Sequence, residues 1–298
     1  MFDEFKSILP IFHAASPRRP DVFGTGTLIK IGTHPYLLTA AHVLDEKLNR
    51  EIYVPLKGRL TELRGRYLCS ARRRSLERSD DLSDICVIQL PTDLAGELES
   101  RFQFVPSNLL DPNEAPTERG EYEFTGFPTS RVRANIFGSR IKVKPYSFGS
   151  RSPSWKAISK MGYNPNVHLV IYFKRQKNRN EKGLRVTSPK PNGVSGGGVW
   201  RVWRRQGLFG DSCTKRLVGI ATEYDERNEA LIGIRLSVAL DAICKMCPDL
   251  ANSCSSSRFV QFVPETRIEV PVGGYHLKPG QQSRSDKDDK EYCHFLLA

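Results

Sequence analysis

A chain of 298 residues, 39% apolar and 9% aromatic, is long enough to bury a large core and too apolar to remain unfolded. Its 45 basic residues outnumber 33 acidic ones, giving a net charge of +12 that suits acidic or phosphate-bearing partners without naming one. No apolar run nears the ~18 residues of a membrane span, and residues 1–10, with Asp3, Glu4 and Lys6, lack the charged head and apolar stretch of a secretion signal. The expectation is a cytoplasmic protein with no membrane partner.

Short apolar, β-branched stretches between Gly, Pro, Asn and charged turns predict strands over 23–31, 36–39, 85–90, 122–127, 167–173, 198–203, 216–224 and 230–236. After the second of these, Ala40 and Ala41 allow a short helical turn to pack at the strand end. One convincing helix spans 237–246, with Ser237 as its cap, apolar Val238, Leu240, Ala242 and Ile243 on one side, and Pro248 beyond its end. Many strands with scarcely a helix between them exclude a parallel βαβ sheet and favour an all-β barrel or sandwich. From about Asn252 the composition changes, through "NSCSSSR", a strand-like piece at 259–263 and "PGQQSRSDKDDKE", so 252–298 is read as a partly ordered extension and a candidate regulator.

Seven cysteines at irregular spacing do not form a disulfide framework, and reduced thiols are the simpler account. The tightest group, Cys244, Cys247 and Cys254, invites a zinc site completed by His276, Cys293 or His294. It lacks the second paired spacing of a zinc finger, so neither metal nor cofactor is expected. Two basic runs stand out: seven arginines between Arg59 and Arg78, and seven basic residues between Lys174 and Lys190. Neither interleaves the aromatic residues of a single-strand binder, which makes solvated loops the first reading and contact with nucleic acid or an acidic protein the second.

"NGVSGGGVW", residues 192–200, holds Ser195 among glycines and runs into apolar residues. A serine hydroxyl is a weak nucleophile at neutral pH; it needs a base, a group that orients the base, and donors for the oxyanion. Of six histidines, His42 in "TAAHV" sits where a strand end fixes a side chain. Of the acids in "SDDLSDICVIQL", Asp84 adjoins the apolar strand and can be shielded from water, whereas Asp80 and Asp81 lie in a polar stretch. "GTGTLI" lacks the third glycine and following helix of a phosphate loop.

In the order His42, Asp84, Ser195, these motifs resemble those of trypsin-like serine proteases of the chymotrypsin fold, a non-secreted type. "TAAHV" resembles the family's histidine motif, "SDICVIQL" its aspartate strand and "GVSGGGVW" its Gly-x-Ser-Gly-Gly motif, over about 22–247. The resemblance implies two packed six-stranded antiparallel barrels, about 8–112 and 118–236, with a C-terminal helix over 237–247 and the triad in the cleft between them. It implies a serine endopeptidase whose oxyanion hole is the backbone N–H groups of Gly193 and Ser195. Thr222, Glu223 and Tyr224 would pair with an extended peptide, while Pro189, Leu231 and Gly233 would lie about an apolar or small pocket. Zymogen-activated members carry an aspartate where this chain has Val194, so the site is expected to assemble without N-terminal cleavage, with a narrow substrate or a regulatory partner restraining it. The alternative is a catalytically silent binding module that uses the basic loops.

Overall fold

The computed structural model describes residues 2–14, 20–45, 51–56, 59–70, 83–114, 120–135, 140–179, 183–205, 212–253, 266–267 and 293–296. The first half contributes strands β1 (Ile8–Ala14), β2 (Pro20–Ile31), β3 (His34–Ala40), β4 (Ile52–Leu56), β5 (Arg59–Glu62), β6 (Arg66–Cys69) and β7 (Ile85–Gln89). The second contributes β8 (Glu121–Gly126), β9 (Val132–Asn135), β10 (Arg140–Val143), β11 (Tyr146–Arg151), β12 (His168–Tyr172), β13 (Asn178–Arg179), β14 (Arg185–Val186), β15 (Gly198–Arg205), β16 (Ser212–Asp225) and β17 (Ala230–Arg235). Two short strands from the C-terminal region, β18 (Thr266–Arg267) and β19 (Cys293–Leu296), follow. Helices are few: α1 (Ala41–Asp45), α2 (Thr92–Glu99), α3 (Trp155–Lys160) and α4 (Leu236–Met246).

The strands form two curled antiparallel sheets. One has eight strands in the order β18-β6-β7-β3-β2-β1-β4-β5, and the other six in the order β11-β8-β15-β16-β17-β12. This is the chymotrypsin-like arrangement that the resemblance implies, with the first sheet two strands larger than the six expected. Part of the excess is β18, which pairs with β6 at the sheet edge. β19 pairs with β10 in a separate three-stranded sheet with β9. The other tail residues expected to carry structure, 259–263, lie outside the described residues.

Why the apolar runs of β3 and β7 are continuous follows from what covers their two faces. Leu37, Cys86 and Ile88 point into the core of the first sheet. Their neighbours Tyr36, Leu38, Ile85 and Val87 point the other way, into a second cluster shared with Leu240, Ala242 and Ile243 of α4. Side chains alternate along a strand, so a strand covered on both sides must be apolar throughout. The C-terminal helix thus seals the outside of the first sheet while belonging in sequence to the second. Its start differs from expectation. Arg235 is the N-cap residue, with no side-chain cap bond, and Ser237 lies inside the first turn; docking of the apolar face holds this helix where capping does not.

Another expectation needs correction. Cys69 and Cys86, directly opposite each other on β6 and β7, are joined as a disulfide, where reduced thiols were expected. Neither spacing nor motif marks the pair, because the register that brings them together is set by tertiary pairing. Among the described residues no group of three or more His, Cys, Asp or Glu side chains is placed to hold a metal ion, and Cys254 and His276 lie outside the described residues. No helix among the described residues is long and apolar enough to cross a membrane.

Candidate active site

Residues on the rims of both sheets line a cleft of about 760 Å³ that brings His42, Asp84 and Ser195 together. His42 sits in the single turn α1 that follows β3, and Asp84 precedes β7, which pairs with β3. Adjacent strands therefore deliver the two residues side by side, although 42 positions separate them.

Asp84 grips His42 twice. One carboxylate oxygen, Oδ1, accepts from the His42 backbone N–H at 2.9 Å, and Oδ2 lies 2.7 Å from the ring Nδ1. The Asp84 carbonyl also accepts from Ala41 N–H at 3.1 Å. Asp84 takes φ = +28°, a conformation a non-glycine residue adopts at a cost. Three bonds to the start of α1 hold it there. With Nδ1–H donating to Asp84, the lone pair of Nε2 is left to accept a proton. The side chains are partly screened from water, 34% exposed for His42 and 14% for Asp84.

On the opposite wall, the Ser195 turn is tied to the first sheet by buried threonines of β2. Thr25 Oγ1 donates to the Gly193 carbonyl at 2.7 Å, Thr25 N–H to the Ser195 carbonyl at 2.8 Å, and Thr27 Oγ1 to the Gly196 carbonyl at 2.8 Å. Gly196, at φ = +92°, lies so close to β2 that a Cβ there would sit 1.8 Å from the Thr25 carbonyl oxygen. The glycines therefore let the turn press against the neighbouring sheet rather than lend it flexibility. Thr25 and Thr27 were missed from sequence; "GTGT" was read only as strand glycines, and the small hydroxyls between them were the available signal.

Val194 N–H donates to the Pro191 carbonyl at 2.9 Å, and Gly193 has φ = +89°, which fits a type II turn over Pro191, Asn192, Gly193 and Val194. The Asn192 carbonyl accepts from Thr129 N–H at 2.8 Å. Because the carbonyl and N–H of one peptide point in opposite directions, anchoring that oxygen outward turns Gly193 N–H toward the cleft. Among the described residues neither Gly193 N–H nor Ser195 N–H donates to another group, while Val194, Gly196 and Gly197 all do. Val194 is 4% exposed and packs in the core of the second sheet. A Cβ on Gly193 would meet the Phe127 carbonyl oxygen at 2.7 Å. Gly193→Ala is thus expected to disturb the turn and lower kcat/KM by about 10²–10³, the cost of one lost oxyanion donor, measured with a fluorogenic peptide at unchanged far-UV dichroism.

The Ser195 hydroxyl donates to the Thr222 carbonyl at 2.6 Å. The Ser195 hydroxyl is thus held by a backbone carbonyl of β16. Thr222, Glu223, Tyr224 and Leu231 line the cleft, as do Met161, Tyr163 and His168, which sequence reasoning left out of the site. Pro189 and Gly233 are not among the lining residues; Gly233 packs within the second sheet, its Cα facing the Ile220 backbone and Val199. Burial, and then Asp84 and Asp225, hold the Glu223 carboxyl above the usual glutamate range.

No family model and no curated protein matches this chain. Solved structures with a similar course include the serine protease domain of the Sesbania mosaic virus polyprotein, with 16% identity, a TM-score of 0.44, and coverage of 86% of this chain and 95% of that one. The VesB protease of Vibrio cholerae has 15% identity, a TM-score of 0.48, and coverage of 82% and 64%. Neuropsin from mouse brain has 14% identity, a TM-score of 0.47, and coverage of 84% and 94%.

Proposed function

We propose that this chain is a serine endopeptidase. The observation that supports the reading is the double hold of Asp84 on His42 in the cleft that Ser195 also lines, together with the Gly193 and Ser195 N–H groups, which donate to no other group among the described residues. In the first half-reaction His42 Nε2 takes the Ser195 Oγ proton as Oγ attacks the peptide carbonyl carbon. The carbonyl π electrons move to oxygen, and Gly193 and Ser195 N–H groups stabilise that oxyanion. The oxyanion collapses, the C–N bond breaks, His42 passes its proton to the leaving amine, and an acyl-enzyme remains. Water then attacks the ester with His42 again as base, and Ser195 leaves with its proton restored. Asp84 keeps its charge throughout, holding the ring and stabilising the imidazolium that forms.

Two features support assembly of the hole without N-terminal cleavage. The turn that carries Gly193 is fixed by Thr25 and Thr129, and Val194 is anchored by apolar burial rather than by an ion pair. The test is hydrolysis of a denatured protein substrate by the full chain and by Ser195→Ala. Cleavage lost with the serine supports the proposal. Equal cleavage by both, or none by either with steeply salt-dependent nucleic acid binding, replaces it with the binding-module reading.

A further inference from the structure

Although the chain carries a net charge of +12, the described residues that line the cleft include no lysine or arginine. Its acids are Asp84, committed to His42, and Glu223 and Glu226. A protein with this excess of basic residues whose candidate site is lined by carboxylates instead offers an electrostatic well there to a cation.

The geometry narrows this to one carboxylate. Glu223 lies on β16 one residue beyond Thr222, whose carbonyl holds the Ser195 hydroxyl. Glu223 lines the same cleft as His42, Asp84 and Ser195. Tyr163, in the loop between α3 and β12, places its hydroxyl 3.0 Å from Glu223 Oε1 and 3.0 Å from Asp225 Oδ2. A phenol has one proton and can donate to one of these oxygens at a time. Asp225 has further donors in the Asn228 backbone and side-chain amides, at 3.0 and 2.6 Å. Glu223 is exposed and lines the cleft, so the capacity that Tyr163 does not fill is open to a ligand there. Arg175, whose charge reaches Tyr224, is bonded to the Ser188 carbonyl at 2.8 Å.

Resting on the peptidase reading above, we infer that Glu223 is a specificity residue that takes a lysine or arginine side chain of the substrate, at one of the three residues preceding the cleaved bond, with Tyr163 positioning its carboxylate. An extended peptide paired with residues 222–224 runs its side chains alternately to either side of the strand. A long cationic side chain can then lay its methylenes along Met161 and Leu231 and bring its charge to Glu223. A charge-assisted bond at a partly solvated site corresponds to about five- to tenfold in kcat/KM.

The experiment digests a heat-denatured proteome with the full chain and sequences the new N-termini, with fluorophosphonate labelling of Ser195 read on the same preparations. The expected result is Lys or Arg enriched about fivefold or more over background at one of those three positions. Paired peptides carrying lysine or norleucine there should differ about five- to tenfold in kcat/KM. In Glu223→Gln and Tyr163→Phe, each still labelled at Ser195, that ratio should shrink. A labelled wild-type chain whose sites show no basic enrichment, or that cleaves nothing in the digest, overturns the inference whether or not the variants fold. A ratio unchanged in labelled Glu223→Gln overturns it too. Absence of labelling in the wild-type chain overturns the peptidase reading beneath it instead.

Discussion

Asp84→Asn is expected to lower peptide turnover by about 10⁴-fold while leaving the fold in place. The amide is nearly the same size, so the 2.9 Å bond from the His42 backbone N–H to Oδ1 can persist. At the Oδ2 position, 2.7 Å from Nδ1, the two orientations of the amide have different consequences. If its NH₂ faces the ring, Nδ1 must become the acceptor, the proton moves to Nε2, and the base has no lone pair to offer Ser195. If its oxygen faces the ring, the tautomer survives, but the NH₂ then opposes the His42 backbone N–H, that bond is lost, and the imidazolium formed during attack loses its counter-charge. Single-turnover kinetics with an activated ester separate this from weaker binding. The acylation rate should fall and KM change little, and a loss confined to KM would contradict the role given to Asp84.

The second large effect lies away from the cleft. Glu114, in the connection between the two sheets, is held by Arg235 through Nη1 contacts to its carbonyl at 3.1 Å and to Oε2 at 3.0 Å. Arg201 approaches Oε1 at 3.5 Å, and Tyr122 donates to the same oxygen at 2.5 Å. The side chains of Glu114 and Arg235 are 5% and 8% exposed, and that of Arg201 is 13% exposed over the Tyr122 ring. Glu114→Ala would strand two guanidinium groups away from water, and breaking such a buried pair costs about 3–5 kcal/mol. For a protein of this size that corresponds to a fall in Tm of roughly 10 °C. Calorimetry should show the shift, whereas Asp84→Asn should leave Tm within a few degrees. A Glu114→Ala shift of only one or two degrees would mean that water reaches the arginines.

Where the sequence was legible, it was so for a physical reason. β2, β3, β7, β8, β12, β15, β16 and β17 each overlap a predicted strand because burial on one or both faces requires apolar residues at period two or one. β1 was missed: its residues 8–12 are as apolar as any, but Pro10 interrupts the run and Pro17 and Pro20 follow it, and only pairing with β2 and β4 makes it a strand. α3 was missed because it is short. Its start is marked by Ser154, whose hydroxyl oxygen accepts from Ala157 N–H at 3.4 Å, a weak signal without apolar periodicity beside it. Within the site, His42, Asp84 and Ser195 were readable because each lies in a local phrase. Tyr163 and His168, which line the cleft, and Thr129, which anchors the Asn192 carbonyl, were not, since their relation to Ser195 is set only by the packing of the second sheet. Pro189, six residues before Ser195, shows the limit of counting along a loop: the part of this loop that lines the cleft begins at Pro191.

The account stands or falls on whether Ser195 is a nucleophile. Treating the folded full-length chain with a fluorophosphonate, then mapping the adduct by mass spectrometry, tests this without knowledge of the substrate. A single adduct on Ser195, absent from Ser195→Ala and much slower to form in His42→Ala, is the predicted result. A folded chain that takes up no label, or a Ser195→Ala chain that labels as fast as the unmodified one, would contradict it.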